Sequence, residues 1–569
     1  MTTGRAGRAG WIGAAFALGL AAPPAPAVGP GWWPALLPAD GWEAKAAPTR
    51  PQRSQPAPLT PAQLRGRAAA AEAAGDWEGA FAAYHDLYRL DRTSPGVRDR
   101  LFAALRRVQQ VRRHRDPVYR QYAAGLTAAD AVGLFGELAG KVPGLHADPA
   151  RSTPQQLWAN GVEELARAVD DVGFRRAFLG DPPADAVTAY KAELLSAWSR
   201  RSIPDAREAR STLKQLLAAT LDHFPAAGPS AVAVEFVCGA CAGLDEYTVF
   251  LPPAAGPDPA DLSAWGLTVA AADIGWVVEA VAPHSWAARQ TALRPGDRVV
   301  RVNGRAEDLG DALRSPAGGF HEVEWVAADG GDAVVRLPAV VPSVYGGRLV
   351  ESKDGGVGYL RVGEFRDTTP RELVEEVAAL RGSMHGARVL ILDLRGNAGG
   401  SFPAAVETAR RLLPAGEVAG TQGQHPAVAG QVFASAAGPT ALDIPLVVLI
   451  DGETASAAEV VAAALKGNGR AVLVGTPTFG KGAIQYPLRL AAADDGDKAR
   501  AATVRLTIAR LLGPRGVPLD GVGVSPHVTA VDPASQWEAA LQQAAALVRP
   551  LPMPMPMMPP SDVAATVSP

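Results

Sequence analysis

Residues 451–485 read DGETASAAEVVAAALKGNGRAVLVGTPTFGKGAIQ. The apolar run Pro445 to Ile450 leads into them and is predicted as a buried strand. After a short turn come Thr454-Ala-Ser456-Ala-Ala-Glu459 and then Val460, Val461, Ala464 and Leu465 at helical spacing. Gly467 and Gly469 end that helix. Ala471 to Val474 is a second strand, and Gly480-Lys481-Gly482 sits in the turn after it. A serine therefore starts a helix at a sheet edge, and a lysine lies where glycines let the backbone come close to a partner. Each has a plain reading when taken alone. Ser456-Ala-Ala-Glu459 is a capping box, and Lys481 is a surface lysine.

Working outward, Val389 to Leu394 is a strand that ends in Arg395-Gly396-Asn397-Ala398-Gly399-Gly400. Such a loop leaves backbone N–H groups free to hold a phosphate or an oxyanion. The phosphate reading fails, because neither G-x-x-x-x-G-K-[ST] nor a Rossmann glycine pattern is present. An oxyanion role for Gly399 or Gly400 fits the serine nearby in fold order. Val357 to Val362 is a further strand. Thr369 is placed to cap the next helix, with Pro370 in its first turn and Glu372 completing a capping box. With a helix at Pro403–Leu413, and with Thr503–Leu511 and Gly521–Thr529 finishing the unit, residues 346–535 have α/β order.

Residues 244–345 change to short strands with Gly, Pro and Asp turns. Gly275 to Val281 alternates, Pro295-Gly296 turns, Val299 to Val302 is a strand and Asn303-Gly304 a tight hairpin turn. Residues 61–243 are helical. Within them Ala71 to Tyr84 forms a tetratricopeptide-like helix pair, with a turn at Gly75 and a packing face of Ala80, Phe81 and Tyr84. A solenoid needs about three such repeats and no second one is evident, so this is a helical domain with one repeat-like hairpin. Residues 1–27 read as a secretory signal, with an uncleaved membrane anchor as the alternative, 28–60 as a Pro/Ala-rich linker, and 549–569 as a disordered Pro/Met-rich tail.

The bulk properties agree with a multidomain chain. At 569 residues roughly three or four domains are expected. A net charge of −3 gives no global field for nucleic acid or an anionic membrane. Cys238 and Cys241 lie on an apolar, helix-like run and are expected to be structural. The nine histidines are dispersed with no H-E-x-x-H, so neither metal nor cofactor is expected.

Three stretches together carry a family resemblance: D-L-R-G-N-A-G-G (393–400), T-A-S-A-A-E (454–459) and G-R-A-V-L-V-G-T-P-T-F-G-K-G-A-I-Q (469–485). They resemble the carboxyl-terminal processing, or tail-specific, serine peptidases. Leu244 to Leu251 is similar to the segment that introduces the PDZ domain in that family. L-R-P-G-D-R-V-V-R-V-N-G (293–304) resembles a PDZ string. The resemblance implies a crotonase-like/ClpP-like spiral in the peptidase domain. It also implies Ser456 as nucleophile, Lys481 as general base, Gln485 as the residue that positions the lysine, and an oxyanion hole at Ala457 with Gly399 or Gly400. In the PDZ unit, Trp265-Gly266-Leu267 matches the loop that holds a peptide C-terminus.

A lysine of ordinary pKa near 10.4 can take the serine proton only if burial or neighbours depress that value. There are departures from the family pattern: Gly467 stands where some members carry an acid, and G-N-A-G-G replaces the commoner N-N-P-G-G. The implied protein is an exported serine endopeptidase, periplasmic or otherwise extracytoplasmic, acting on polypeptides with accessible C-termini. A protein partner through the helical region and self-association stay open. The alternative is a non-catalytic scaffold that binds polypeptides.

Overall fold

The computed structural model describes residues 59–548 except 92–93, 95, 254–261, 263–264, 283–284, 314–318, 351–355, 383–385, 437–441 and 492–501. The expected signal, nearly all of the linker and the tail lie outside the described residues.

Helix α1 (Pro61–Ala74) starts at a capping box between Thr60 and Gln63 and stops at Gly75, whose φ of 71° is the left-handed C-cap glycine favours. Asp76 caps α2 (Trp77–Leu90), which buries Ala80, Phe81 and Tyr84 as the packing face requires. α3 (Val97–Arg115) completes this unit. A second helical body follows: α4 (Pro117–Gly125), α5 (Ala128–Lys141), α6 (Pro154–Ala168), α7 (Ala184–Ser196), α8 (Ala206–His223) and α9 (Pro229–Ala242). α9 is buried from Ser230 to Cys241. Cys238 and Cys241 are unpaired thiols in that core, and burial pushes the Cys238 thiol up to about 12.

Strand β1 (Val249–Leu251) leads to a β-rich unit made of β2 (Leu267–Ala271), β3 (Trp276–Val281), α10 (Trp286–Gln290), β4 (Arg298–Val302), α11 (Leu309–Leu313), β5 (Phe320–Val326) and β6 (Asp332–Pro338). Its sheet is antiparallel in the order β2-β3-β4-β5-β6. The turn after β4 has positive φ at both Asn303 (52°) and Gly304 (75°), as an Asn-Gly turn allows.

The α/β part contains β7 (Val344–Val350), β8 (Gly356–Val362), α12 (Thr369–Gly382), β9 (Ala387–Asp393), α13 (Phe402–Leu412), β10 (Gly416–Gly423), β11 (Val432–Ser435), β12 (Leu446–Ile450), α14 (Ala457–Gly467), β13 (Ala471–Gly475), β14 (Ala483–Leu490), β15 (Ala502–Leu512), β16 (Val528–Thr529) and α15 (Pro533–Val548). The central sheet runs β16-β13-β12-β9-β8-β7, parallel except for the antiparallel edge strand β7. β12 shows why its run is continuously apolar. Leu446, Val448 and Ile450 face the layer of α12, α13 and α14. Val447 and Leu449 face α15 through Ala540 and Ala544. A strand covered on both faces has no solvent side to encode. A second, antiparallel sheet has the order β1-β15-β10-β11, with β14 also paired to β15.

Two local expectations change. Glu372 does not close a box on Thr369; its carboxylate takes the N–H groups of Ser343 and Val344 (2.8 and 3.0 Å), pinning α12 to the start of β7. Gly521–Thr529 contributes only the two-residue β16, the rest being loop. Among the described residues no helix is long and apolar enough to cross a membrane.

Candidate active site

Three neighbouring parallel strands end at one edge of the central sheet, where open α/β sheets place their ligands. β9 delivers the Gly399-Gly400 loop, β12 delivers Ser456, and β13 delivers the turn that holds Lys481. The turns are laced together. Ala455 N–H donates to Asn397 O (2.9 Å), Thr454 Oγ1 to Leu394 O (2.9 Å), Gly396 N–H to Asp451 Oδ1 (2.9 Å), and Phe479 N–H to Thr454 O (2.8 Å). Beneath them Asp393 is fully buried and takes Arg395 and the Tyr359 hydroxyl (2.8 Å), which fixes the base of the glycine loop.

Ser456 has φ 56° and ψ −119°, a left-handed value that a residue with a β-carbon seldom adopts. Its N–H donates to Glu459 Oε2 (2.8 Å), the half of the predicted capping box that the glutamate supplies. The strained turn sets Ser456 at the N-terminus of α14. Gly399 (φ 113°) packs directly over this point. A β-carbon there would lie 2.9 Å from Ser456 Cβ and 3.1 Å from Ala457 N. Gly400 (φ 123°) lies against Phe365, where a β-carbon would come within 2.2 Å of its carbonyl oxygen. Gly399 N–H donates to Asn397 Oδ1 (2.9 Å). Ala457 is the first residue of α14, where N–H groups lack intrahelical acceptors.

The residue that sequence reasoning underrated is Glu459. Fully buried, its carboxylate accepts from Ser456 N–H, Lys481 N–H (2.8 Å), Gly480 N–H (2.6 Å) and the Thr478 hydroxyl (2.5 Å). Burial raises its pKa while those four donors oppose the rise. One side chain thereby joins the serine turn to the lysine turn. The sequence signal was present in the capping-box spacing, but three of the four donors lie on another turn.

Part of Lys481 remains accessible to solvent, yet the protein packed around its ammonium lowers its pKa from 10.5 to about 8. Desolvation is the largest cause, and repulsion from Arg505 adds to it; Glu459 and Asp245 oppose it. The ammonium lies 5.5 Å from the centroid of the Tyr247 ring. No hydrogen bond joins it to the Ser456 hydroxyl among the described residues. Gln485, expected to position the lysine, donates to the carbonyl of Tyr247 (2.6 Å), whose ring lies beside the Lys481 ammonium. Tyr247 belongs to the segment before β1 and went unnoticed as a site residue.

Trp265, Gly266 and Leu267 lie far along the chain from this edge, at the start of β2. Trp265 and Leu267 are core residues, and Trp265 Nε1 donates to Pro338 O (2.9 Å). The N–H groups of Trp265 and Leu267 both donate to Leu262 O (3.0 and 3.2 Å). Of the three residues offered as a peptide-binding loop, two are therefore engaged inward in this state. No cluster of potential metal ligands occurs among the described residues.

Residues 356–530 match the sequence model described as Peptidase family S41. Over 256 residues the chain is 30% identical to the carboxy-terminal processing protease CtpA of Bacillus subtilis (strain 168), covering 43% of this chain and 51% of that protein. Over 308 residues it is 30% identical to the chloroplastic carboxyl-terminal-processing peptidase 1 of Arabidopsis thaliana, covering 50% and 59%. The chain thus spans a little over half the length of these relatives. A solved photosystem II D1 C-terminal processing protease aligns at 25% identity and a TM-score of 0.34, over 69% of this chain and 99% of that one.

Proposed function

We propose that this chain, whose residues 356–530 match the model of peptidase family S41, is a serine endopeptidase that cuts polypeptides near their C-termini with Ser456 as nucleophile and Lys481 as general base. The observation that carries this reading is the shared Glu459 carboxylate, which holds the Ser456 and Lys481 N–H groups at 2.8 Å each. A helix cap alone would have no use for the second contact.

Neutral Lys481 takes the proton from Ser456 Oγ as the oxygen attacks the scissile carbonyl carbon. The oxyanion forms beside the N-terminus of α14, where Ala457 N–H and Gly400 N–H stabilise it. Gly399 contributes clearance, its own N–H being taken by Asn397. The C–N bond then breaks and the Lys481 ammonium gives its proton to the leaving amine. Water, deprotonated by the same lysine, hydrolyses the acyl-enzyme.

In this reading residues 244–345 form a PDZ domain that recognises the substrate tail or gates the site, and residues 346–535 form the crotonase-like/ClpP-like peptidase domain. The inward hydrogen bonds of Trp265 and Leu267 mean that carboxylate capture requires this loop to open. The protein acts outside the cytoplasm if residues 1–27 serve as a signal.

Ser456→Ala and Lys481→Ala should each abolish cleavage of casein while near-ultraviolet circular dichroism stays unchanged. Full cleavage by both variants would remove the dyad and leave the binding-scaffold reading. Proteins that accumulate uncut in cells expressing Ser456→Ala, identified by mass spectrometry, would name the substrates.

A further inference from the structure

We propose that Arg98, on helix α3 of the N-terminal unit, is a positioning residue of this active site, acting through Tyr247 to set where the Lys481 ammonium lies. The inference rests on the peptidase reading above and places part of the catalytic apparatus outside the stretch that matches the family.

The contacts form a chain with no gap. Arg98 Nη2 donates to the Tyr247 hydroxyl and to Asp520 Oδ1, both at 3.2 Å, and Nη1 lies 3.5 Å from Glu246 Oε1. The Tyr247 hydroxyl in turn donates to Asp520 Oδ1 (3.3 Å). Its ring meets Phe102 edge-on, with centroids 5.8 Å apart. Phe102 lies one turn along α3 from Arg98, and the guanidinium sits 5.4 Å over its ring. The Tyr247 carbonyl is held by Gln485. The Lys481 ammonium lies 5.5 Å from the centroid of the same ring, a distance at which the face of an aromatic ring attracts a cation.

Asp520 makes the same connection through the backbone: it accepts from Gly482 N–H (3.3 Å), next to Lys481, and pairs with Arg510 (2.8 Å). Arg98 thus touches the partners of Lys481 on both its side-chain and its backbone side.

The fit is specific. A β-carbon at Gly521 (φ 71°) would lie 3.1 Å from Arg98 Nη1, and one at Gly482 would lie 2.2 Å from Asp520 N. Arg98 Nε is buried with no hydrogen-bond partner among the described residues, a penalty that an ordinary surface ion pair would avoid. The charged groups around the pair are Arg98, Glu246, Asp520 and Arg510 on the Tyr247 side, with Arg505, Glu459 and Asp245 on the Lys481 side. Because Arg98 is itself charged, its removal would alter the field as well as the geometry, so the test separates the two with uncharged changes at Tyr247.

Casein cleavage is followed against pH for the full chain and for Tyr247→Phe, Tyr247→Leu, Arg98→Gln, Arg98→Lys, Arg98→Gln/Tyr247→Phe and Ser456→Ala. Arg98→Gln should lower kcat about tenfold to a hundredfold, the scale of a misplaced catalytic group, with KM nearly unchanged and partial rescue by Arg98→Lys. In the Tyr247→Phe background, Arg98→Gln should cost several-fold less than in the full chain, because the hydroxyl is gone and only the route through Asp520 is left. Tyr247→Leu removes the ring that stabilises the ammonium. Its acid limb should move to lower pH by roughly half to one unit. A full Arg98→Gln effect in the Tyr247→Phe background, or an unmoved limb in Tyr247→Leu, overturns the proposal. An inactive Ser456→Ala beside either result confines the failure to Arg98 and Tyr247. Retained cleavage by Ser456→Ala overturns the peptidase reading and this one with it.

Discussion

Ser456 occupies a backbone conformation (φ 56°) whose strain is of order 1–3 kcal/mol, and its surroundings hold it there. Its N–H is fixed by Glu459, and the preceding Ala455 N–H by Asn397. Gly399 is the complement of that strain. Gly399→Ala would place a methyl 2.9 Å from Ser456 Cβ at a φ that alanine resists, so kcat should fall at least about a hundredfold while substrate binding, read by anisotropy of a labelled peptide, is retained. Lys481 carries the opposite tension. A folded-state pKa of about 8, against 10.5, means the folded protein holds the charged form less readily than the unfolded chain. Stability therefore rises between these two values, and the penalty is fully present below pH 8. Lys481→Met keeps the apolar stem without the charge. It should be inactive yet more stable near pH 7 by up to about 3 kcal/mol, measured by urea unfolding. At this scale the sequence was informative about Ser456 and Lys481, whose spacing and glycine flanks are local. Tyr247 escaped notice because its partners Arg98, Lys481 and Asp520 lie on three distant segments.

The elements explain why these residues meet. Parallel strands β9, β12 and β13 are neighbours in register, Leu449 opposite Asp393 and Ile450 opposite Gly475, so their C-terminal turns emerge side by side. The apolar runs made these strands readable, and β12 falls at Leu446–Ile450 as its run predicts. What periodicity could not supply was the cross-bracing: Glu459 and Glu372 both have capping-box spacing, yet their carboxylates reach other elements, the lysine turn and the start of β7. Local spacing identifies an acceptor but not which of several unsatisfied donors will fold onto it. Glu459→Gln replaces one acceptor oxygen by an NH₂ group that faces N–H donors. It should lower stability by about 2–3 kcal/mol, the scale of a buried charged hydrogen bond, and slow cleavage more than either effect of a simple cap loss would. Thermal unfolding paired with initial rates checks this.

The whole molecule closes the site from the side that the family match leaves out. Ala455 and Phe479, which flank the serine and lysine turns, belong to one apolar cluster with Leu64, Phe81, Leu87, Leu101 and Phe102 of α1–α3. The Tyr88 hydroxyl donates to Phe479 O (3.0 Å). The helical hairpin was legible as a packing unit from Gly75 and its Ala80, Phe81 and Tyr84 face; that it packs on the serine and lysine turns was not, since the contact spans almost 400 positions of sequence. Phe81→Ala should therefore do two things. It should destabilise the protein by about 3–5 kcal/mol, and it should lower activity at temperatures where the protein is still folded. A helical unit independent of the site would show only the first, and differential scanning calorimetry with parallel rate measurements distinguishes the cases. The central claim is that neutral Lys481 activates Ser456. Its most direct test is the pH dependence of kcat/KM for cleavage of casein by the full chain. A single acid limb with a midpoint near pH 8 is expected, lost together with activity in Lys481→Ala. A profile flat between about pH 6 and 9, or a limb near 6.5 where histidine titrates, would contradict it.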